Sequence, residues 1–394
     1  MKIGRSLPPA AAPLGWRDVC HGIAGAFTPR RSLRAREEEL RREFGVAHVF
    51  PVSSGSAALR LTLTALKSLS SGTDVVIPAY TCFSVPAAIL KAQLRPVLCD
   101  ITPSTFDFDH GLLEKALTSR TLCVISHHLF GIPSDIERTR ATCRAHGVFV
   151  VEDAAQAMGA EQNGHKLGTV GDVGVFSFGR GKNITCGSGG VIVTNSAEIA
   201  DAIARHYRDV PSPTLWEDVK DFVSLVLMAI FIRPRLYWIP AALPFLHLGE
   251  TVFPREVPVR RLSGIKAGIL RNWQNRLARS NRIRSETADD LRERLLVRTA
   301  PGRSHPYLRL PILASSPKEK DRLCSFSKAN GLGLSVAYPT PLNEIPEMRA
   351  VVNGQQFPSA RKVAANLLTL PTHEWLVEKD MRALTTLCRD SRSA

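Results

Sequence analysis

Residues 151–160 read VEDAAQAMGA, an apolar run that ends in two acids and is followed at once by small residues. The residues GVFVV that lead into it are apolar and β-branched, which is typical of a strand buried in a sheet. Asp153 then lies at the buried end of that strand, where an unpaired carboxylate is costly. The sequence therefore predicts that a positively charged partner meets Asp153 there.

Similar apolar runs lie on both sides of this strand. DVVIPAY, LRPVLCDI and TLCVISHH precede it, DVGVFSFG and GGVIVTN follow it, and helical stretches such as PSDIERTRATCRAHG separate several of them. Apolar strands that alternate with helices predict an α/β fold with a mainly parallel sheet covered on both faces. The last two strands are close enough in sequence to be neighbours in that sheet.

The length of 394 residues accommodates one large α/β domain and a smaller one. We expect a Pro- and Ala-rich surface segment over 1–33 and a large domain over 34–254 that includes an apolar insertion at 210–254. The remaining residues, 255–394, begin with a long Arg-rich helix and predict a smaller C-terminal α/β domain.

The composition excludes several classes of protein. The eight cysteines are scattered singly without metal-ligand spacing, as is typical of reduced cytoplasmic proteins, and no signal-peptide pattern opens the chain. The formal charge of +15 favours acidic partners such as nucleotide sugars or anionic lipid headgroups, or reflects a basic, soluble surface. No zinc-finger spacing or cluster of aromatic and basic residues indicates nucleic-acid binding.

The apolar run FVSLVLMAIFI (222–232) is too short to span a bilayer and is followed by Arg-Pro-Arg. Burial at a subunit or domain contact is the commoner fate of such a segment. The alternative is a weak association of 222–248 with the inner membrane surface, with Tyr237 and Trp238 at the level of the headgroups. The sequence favours the subunit contact and leaves both open.

The tetrapeptide SSGS (53–56) ends one strand and begins a helix. Free backbone N–H groups and the helix dipole make such a helix start suitable for phosphate. Gly55 would let a phosphate approach the backbone, and Ser56 would add a hydroxyl. Alone, the pattern is equally typical of an ordinary serine N-cap.

Lys182 follows the strand FSF in the Gly-rich loop GRGKNITCGSGG. A lysine, an acid and a phosphate loop at strand ends of one sheet indicate a site for pyridoxal phosphate (PLP). The lysine amine condenses with the PLP aldehyde as a Schiff base, and the acid keeps the pyridine nitrogen protonated so that the ring accepts electrons. The protonated pyridine is then the positive partner predicted for Asp153.

A series of motifs makes the chain resemble the DegT/DnrJ-type family of PLP-dependent sugar aminotransferases. The likeness runs from about Arg34 to the final helix and is specific for the family rather than for one substrate. The motifs are SSGSAALRLTLTAL, DVVIPAYT, LRPVLCDITPSTFDFD, SHHLFGIPSDI, VVEDAAQAMGA, GTVGDVGVFSFGRGKN, GSGGVIVTN, AYPTPLNEIPEM and FPSARKVAANLLTLPTH.

The resemblance implies the aspartate-aminotransferase fold (fold type I) and a homodimer with active sites at the subunit interface. It implies that Lys182 binds the PLP aldehyde and then moves the substrate proton. Asp153 would pair with the pyridine nitrogen, and Gln156 would reach the ring hydroxyl. The phosphate would be held by Gly55, Ser56 and Ser177.

The side chains expected around the cofactor ring depart from the family pattern. Family members usually stack an aromatic ring on the cofactor from the position that Cys82 occupies here. Cys82 would pack on the ring instead, or Tyr80 or Phe83 would take that role. His127 and His128 lie at a strand end that faces the cofactor, and we favour hydrogen-bonded buried histidines over substrate contacts.

Further departures lie near the substrate or the expected subunit contact. The family often has an Asn that reaches the partner's phosphate where this chain has Val259, and Arg260 or Arg261 would supply a charge instead. An acid before the Gly-Gly of the lysine loop is replaced by Ser188. Because of these differences, the motifs do not identify the substrate, but the cofactor prediction is unaffected.

The sequence therefore predicts a cytoplasmic PLP-dependent aminotransferase. Its predicted substrate is a nucleotide-activated keto-deoxysugar, which it converts to an amino sugar with an amino acid such as glutamate as the amine donor. A dehydratase on the same scaffold is disfavoured, because family dehydratases replace the lysine with His and this chain has Lys182. Transamination of a non-sugar ketone, such as a cyclitol or an aromatic-amine precursor, stays open. So does a non-catalytic, membrane-associated member of the fold.

Overall fold

The computed structural model of the protein describes residues 3–12, 14–243, 251–295, 305–352 and 354–390. The strands in this part of the chain are β1 His48–Val52, β2 Asp74–Pro78, β3 Arg95–Cys99, β4 Thr121–His127, β5 Phe149–Asp153, β6 Glu161–Gln162, β7 His165–Lys166, β8 Val173–Ser177, β9 Gly190–Thr194, β10 Leu310–Leu313 and β11 Leu367–Leu370.

Helices cover most of the remaining described residues. They are α1 Trp16–Phe27, α2 Pro29–Phe44, α3 Gly55–Lys67, α4 Ser84–Lys91, α5 His110–Ala116, α6 Ile136–Arg144, α7 Ala197–Arg208, α8 Leu215–Phe231, α9 Pro234–Ala241, α10 Gly264–Ile269, α11 Trp273–Leu295, α12 Pro317–Asn330, α13 Pro346–Val352, α14 Pro358–Asn366 and α15 Glu378–Asp390.

Within the described residues, seven strands form the central sheet in the order β1-β9-β8-β5-β4-β2-β3. The pairs from β8 across to β3 are parallel, and β9 runs antiparallel to both of its neighbours, β1 and β8. Every residue of β2, β4, β8 and β9 is buried, because helices cover both faces of the sheet. The predicted α/β fold with a mainly parallel sheet is confirmed, and so is the predicted β8–β9 neighbourhood.

The connections carry the chain from β2 out to β3 and then back across β2 to β4. The chain thus reverses direction in the sheet between β2 and β4. In such open sheets the crevice outside the carboxyl ends of the strands, near the switch point, is where ligands bind. The ends of β1, β2, β4, β5 and β8 meet at this edge and position the site.

The N-terminal segment differs from the expectation of a surface segment over 1–33. Leu7 and Ala11 are 2% and 0% exposed, and residues from Trp16 onward form α1 and α2. Two buried side chains bind the backbone of this segment: Arg284 donates to Ala11 O at 2.6 Å and His373 to Pro8 O at 2.8 Å. Small and apolar residues make the segment fit between helices, which is why the structure buries it.

The apolar insertion forms α8 and α9, and residues 244–250 of the predicted segment lie outside the described residues. Among the described helices, none combines the length and apolar character needed to cross a lipid bilayer. The long Arg-rich helix predicted after 255 is divided into α10 and α11, because Asn272 adopts a left-handed backbone conformation with φ of 58°. A separate two-stranded sheet, formed by β10 and β11, lies C-terminal to them in the chain. The domain boundaries given in the sequence analysis stay a prediction.

Candidate active site

Strand ends bring two of the predicted site residues, Asp153 and Ser177, to one edge of the sheet beside His127. His127, the last residue of β4, pairs in register with Asp153, the last residue of β5. Asp153 in turn pairs with Val175, two residues before Ser177 at the end of β8. The sequence places these polar residues where strands end, so the fold places them side by side.

The two acids that end β5 have opposite environments. Glu152 is fully buried, and its carboxylate accepts hydrogen bonds from His128 Nε2 at 2.7 Å and from the backbone N–H groups of Gly168, Val170 and Gly171. Burial raises the pKa of Glu152, but these hydrogen bonds outweigh it and hold that pKa below its usual range. Its charge is therefore satisfied within the chain.

Asp153 is one residue further and points to the other side of the strand. Ala155 N–H, at 3.1 Å, is the one hydrogen-bond donor that the described residues give to its carboxylate. No basic side chain in the described part of the chain forms an ion pair with it. The carboxylate thus remains available to a cation that is not part of this chain.

The start of α3 forms a narrow gap against β8. Ser54 caps the helix by accepting a hydrogen bond from Ala57 N–H at 3.0 Å, which leaves the first N–H groups of α3 free of helical partners. A Cβ on Gly55 would lie 3.0 Å from Ser177 Cβ and 3.2 Å from Ser177 Oγ. Glycine therefore keeps open a space bordered by backbone N–H groups and a serine hydroxyl, which suits a phosphate.

Lys182 lies in the loop after β8, close to these groups. No hydrogen bond or ion pair joins its Nζ to any described residue. Burial lowers the pKa of Lys182 below its ordinary value; Cys82 and Asp153 act in the opposite direction, and Arg309 lowers it further. The loop makes a tight turn at Gly181, whose φ is +69°, where a Cβ would lie 3.2 Å from Ala10 Cβ.

Three side chains were candidates for contact with the face of a cofactor ring. Tyr80 is fully buried, and its hydroxyl donates to Tyr338 O at 3.2 Å and accepts from Tyr338 N–H at 3.3 Å. Phe83 is also buried, with its ring 6.1 Å from that of Tyr338. Cys82 keeps partial exposure, with Sγ 3.0 Å from Ser84 Oγ, and is the most accessible of the three.

Gln156 is engaged at both ends of its side-chain amide. Its Oε1 accepts from Phe130 N–H at 3.1 Å, and its Nε2 donates to the Tyr338 hydroxyl at 3.0 Å. Tyr338 is buried, which raises its pKa well above the ordinary value for tyrosine. The structure thus connects the residue three positions after Asp153 to a phenol far along the sequence, a contact that the sequence analysis did not identify.

Both histidines at the end of β4 have their ring nitrogens engaged by the protein. His127 Nδ1 lies 2.9 Å from Thr81 Oγ1 and its Nε2 lies 2.9 Å from Phe106 O. His128 binds Glu152 through Nε2 and accepts from Ser134 N–H through Nδ1. Burial lowers the pKa of His127. Both are hydrogen-bonded buried histidines, as the sequence analysis favoured.

The segment before α10 runs along the end of β1. Ser53 N–H donates to Arg260 O at 2.9 Å, and Arg260 N–H donates to Ser53 Oγ at 3.2 Å. Arg261 donates to backbone carbonyls at the end of α7 and stacks over the Tyr207 ring, 4.8 Å from its centroid. Arg261 is therefore bound within its own chain, whereas the partly exposed Arg260 forms one ion pair, with Glu217 at 3.4 Å.

The sequence analysis did not identify Arg309, whose positive charge lowers the pKa of Lys182 although the two are far apart in sequence. Arg309 immediately precedes β10 and donates to Ser335 Oγ at 3.3 Å. Its charge acts on Lys182 and Tyr338, and also on Tyr237 of α9. A signal was present: in YLRLPIL (307–313) a single arginine interrupts an apolar run.

A cavity of about 930 Å³ borders the lysine loop at Asn183. Its lining is rich in basic side chains from the N-terminal segment, α9 and α11. Five arginines line it, but three of them form ion pairs with Asp380, Asp18 and Glu374, so the positive charge left for an anionic group comes from Arg233 and Arg235. The five arginines are Arg5, Arg233, Arg235, Arg276 and Arg279.

Comparison with known families matches residues 24–221 and 260–387 to the DegT/DnrJ/EryC1/StrS aminotransferase family. The match covers most of the chain and omits 222–259, which contains the second half of α8 and all of α9. These elements therefore lie outside the two ranges that match the family.

Individual proteins are similar over different lengths. The chain is 39% identical to L-glutamine:2-deoxy-scyllo-inosose aminotransferase of Streptoalloteichus tenebrarius. The aligned region covers 44% of this chain and only 41% of that protein. It is 29% identical to UDP-N-acetyl-3-dehydro-alpha-D-glucosamine 3-aminotransferase of Acidithiobacillus ferrooxidans over 90% of this chain and 87% of that protein. The crystal structure of DesV from S. venezuelae in complex with a ketimine intermediate superposes with a TM-score of 0.72 at 26% identity, covering 91% of this chain and 88% of DesV.

Proposed function

This chain belongs to the DegT/DnrJ/EryC1/StrS aminotransferase family, and we propose that it is a PLP-dependent enzyme that converts a keto-deoxysugar to an amino sugar. One observation carries the proposal: Lys182 and Asp153 lie at the same sheet edge, and neither has an ionic partner among the described residues. Both side chains are only partly exposed to water, and charges left unpaired there cost free energy, which a bound cofactor that pairs with both would offset.

The residues at this edge fit PLP. The gap that Gly55 keeps open against Ser177, together with Ser56 at the start of α3, would hold the phosphate. Asp153 would meet the ring nitrogen, and Cys82 would pack on the ring. PLP bound there would supply an aldehyde for Lys182 and a protonated ring that accepts electrons. Gln156 would reach the ring hydroxyl by exchanging its present bond to Tyr338.

The chain's own groups would carry the proton transfers. Because burial lowers the pKa of Lys182, a larger fraction of its Nζ is neutral at a given pH than in an exposed lysine, so Nζ can take a proton from the substrate carbon. The negative charge of the Asp153 carboxylate would stabilise the protonated ring nitrogen of bound PLP by hydrogen bonding and electrostatic attraction. Both groups are partly withdrawn from water, which strengthens this attraction.

A nucleotide-activated sugar is the acceptor that we favour. The relative from A. ferrooxidans, which aligns along most of its length, is named as an aminotransferase of a UDP-sugar. Arg233 and Arg235, which line the cavity beside Asn183 and have no ion pair among the described residues, support the same choice, because cationic side chains bind the diphosphate of a nucleotide sugar. In the overall reaction the ketone becomes an amine, and an amino acid such as glutamate becomes its 2-oxo acid.

A cyclitol ketone is a second candidate acceptor. The relative from S. tenebrarius has the higher identity and bears a deoxy-inosose and L-glutamine in its name, although the likeness covers less than half of each chain. A cyclitol lacks the diphosphate, so it would leave the Arg-rich cavity without a ligand. An aromatic-amine precursor belongs to the same group of non-sugar ketones.

A cytoplasmic homodimer is the assembly that we propose. Trp216, Val219, Val223 and Leu227 project from one face of α8 and are 43% to 76% exposed, an apolar stripe that a second subunit would cover. All eight cysteines are free thiols, which supports a reducing compartment. Docking of 222–248 on an anionic membrane surface is the competing arrangement, and it would suit a non-catalytic, membrane-associated protein as well as an enzyme.

The proposal is tested with purified protein and PLP. We expect an absorbance band in the visible range, and borohydride should fix PLP to Lys182, as identified by peptide mass spectrometry. The protein is then incubated with L-glutamate or L-glutamine and a panel of keto sugars and keto cyclitols. Mass spectrometry of the products identifies the acceptor, and a protein that neither binds PLP nor forms any amine would contradict the proposal.

A further inference from the structure

Helix α8 packs directly against the lysine loop, residues 179–189. Leu225, on the inner face of α8, is 2% exposed and belongs to one apolar cluster with Ile184 and Cys186 of the loop. A close approach occurs at Gly187, where a Cβ would lie 2.7 Å from Leu225 Cδ2. The leucine side chain therefore packs on the backbone of the loop itself.

An ion pair with a buried lysine lies beside this contact. Lys266 of α10 is 3% exposed, and its Nζ lies 2.5 Å from Asp221 Oδ2 of α8. Both side chains line a small cavity together with Gly187 and Ser188 of the lysine loop. Because the charge of a buried lysine needs such a partner, the pair fixes α8 to α10 next to the end of the loop.

The lysine loop is closed at its base, so a contact at one end constrains the whole loop. Phe178, the residue after β8, accepts hydrogen bonds at its carbonyl from Cys186 N–H and Thr185 Oγ1, each at 3.1 Å. Its N–H donates to Gly189 O at 2.8 Å. Lys182 lies between these closures, and its Nζ has no hydrogen bond to a described residue. The position of its amine therefore depends on how firmly the loop is held.

We propose that α8 positions the lysine loop for PLP, with Leu225 and the ion pair between Asp221 and Lys266 as the positioning residues. Packing at Gly187 and the ion pair hold the far end of the loop. Loosening that end would let the Lys182 amine take several positions, of which few reach the PLP aldehyde. The inference rests on the proposed PLP-dependent function and names residues that need not contact PLP themselves. Leu225 also lies outside the two ranges that match the family.

The first experiment follows the loop without PLP. Hydrogen–deuterium exchange of the PLP-free protein is compared in Leu225→Ala and in Leu215→Ala, the matched change at an 81% exposed leucine of the same helix. In Leu225→Ala we expect the amides of 179–189 to exchange about tenfold faster, and those of β4 to change by much less. An equal rise in the loop and in β4 would show that Leu225 stabilises the fold as a whole and would overturn the positioning role.

The second experiment separates the position of the lysine from cofactor binding. Pyridoxamine 5′-phosphate lacks the aldehyde, so it measures binding that does not depend on attachment to Lys182, whereas PLP with borohydride measures attachment. In Leu225→Ala we expect attachment to slow about tenfold and the dissociation constant of pyridoxamine phosphate to change within about threefold. Leu225→Met, which keeps the side-chain volume, should attach PLP at the wild-type rate. Equal losses with both cofactor forms would contradict the inference.

Substitutions at the ion pair give an independent test. Asp221→Asn leaves Lys266 without its partner and should slow PLP attachment roughly fivefold, and Asp221→Glu, which restores the charge, should recover most of the rate. Lys266→Met combined with Asp221→Asn removes both charges, so the unfolding temperature should return toward that of the wild type while attachment stays slow. Lys220→Met, at an exposed lysine of α8, is the matched control. Attachment that recovers together with stability would reject the pair as a positioning element.

These outcomes are distinct from those that decide the proposed function. If the wild-type protein attaches no PLP, the proposed function is rejected, while faster exchange of the loop in Leu225→Ala would still retain α8 as the element that holds it. If PLP attachment and amine transfer in Leu225→Ala equal those of the wild type, the proposed function is retained and the positioning role is rejected.

Discussion

The carboxyl edge of the sheet and the outer face of α8 both present groups that the chain itself does not satisfy, but of opposite chemistry. At the sheet edge, Lys182 and Asp153 are charged groups of partial exposure without ionic partners among the described residues. On α8, Val223 and Leu227 are apolar side chains that remain 50% and 49% exposed to water. Each arrangement costs free energy in the isolated subunit.

The difference indicates what each region would bind. An unpaired charge in a buried place is stabilised by a ligand of opposite charge, whereas an apolar stripe is stabilised by another apolar surface. The inner face of α8 shows the contrast within one helix, because Leu225 and Ala229 are buried against the body of the protein. The following predictions test how far this comparison holds.

Lys182→Ala should have the largest effect. It removes both the amine that binds PLP and the group that moves the proton, so turnover should fall by at least about 10⁴-fold. Borohydride should no longer attach PLP to this position. The measurement is amine formation per subunit, with Lys115→Ala, an exposed lysine of α5, as the control. Turnover of Lys182→Ala at the wild-type rate would contradict the assignment.

Asp153→Asn should retain PLP and lose most activity. A neutral amide does not favour a protonated ring nitrogen, so we expect turnover to fall on the order of 10²- to 10³-fold, as when one preorganised electrostatic contact is removed. Absorbance reports bound PLP, and product formation reports the rate. Asp209→Asn, an exposed acid after α7, is the matched control. Unchanged turnover would mean that another group protonates the ring.

Glu152→Gln should lower the stability of the fold more than it affects PLP binding, in contrast to the substitution of its neighbour Asp153. It removes the charge that His128 and three backbone N–H groups bind, at an expected cost of about 3 kcal/mol in the free energy of unfolding. Denaturant unfolding measures this cost. A stability equal to the wild type would show that the buried carboxylate is dispensable.

The same carboxylate predicts a pH dependence. The folded-state pKa of Glu152 is below its usual value, so its contribution to stability is present above the unfolded-state pKa and is lost as the pH falls through the lowered folded-state value. The difference in stability between wild type and Glu152→Gln should therefore be largest near neutral pH and shrink in acid. A difference that stays constant down to strongly acid pH would contradict this linkage.

Substitutions on the outer face of α8 should have the smallest effect. If this face meets a second subunit, Val223→Ser with Leu227→Ser should raise the dimer dissociation constant roughly tenfold, measured by sedimentation. If it meets a membrane, the same variant should reduce flotation with anionic vesicles, and high salt should do so too. We expect the dimer to weaken. Flotation that is lost while the dimer persists would favour the membrane arrangement.

Much of the candidate site follows from local sequence. Asp153 and Ser177 end apolar strands, and Gly55 follows a serine cap, so hydrophobic period and capping chemistry place them without knowledge of the rest of the fold. Gln156 lies three positions after Asp153 in the sequence, but its bond to Tyr338 spans 182 positions. No local pattern contains that contact, because it depends on how the C-terminal residues pack against the sheet edge.

By itself, the sequence determined the mainly parallel sheet and the positions of Lys182, Asp153 and Gly55 at strand ends, because side-chain alternation and strand-end chemistry are local properties. Tertiary structure alone decided that Ala11 O accepts a hydrogen bond from the buried Arg284 and that Gln156 binds the Tyr338 hydroxyl. These residues are distant in sequence, and their meeting depends on which apolar faces bury one another. Burial is shared over the whole core, so no short segment specifies it.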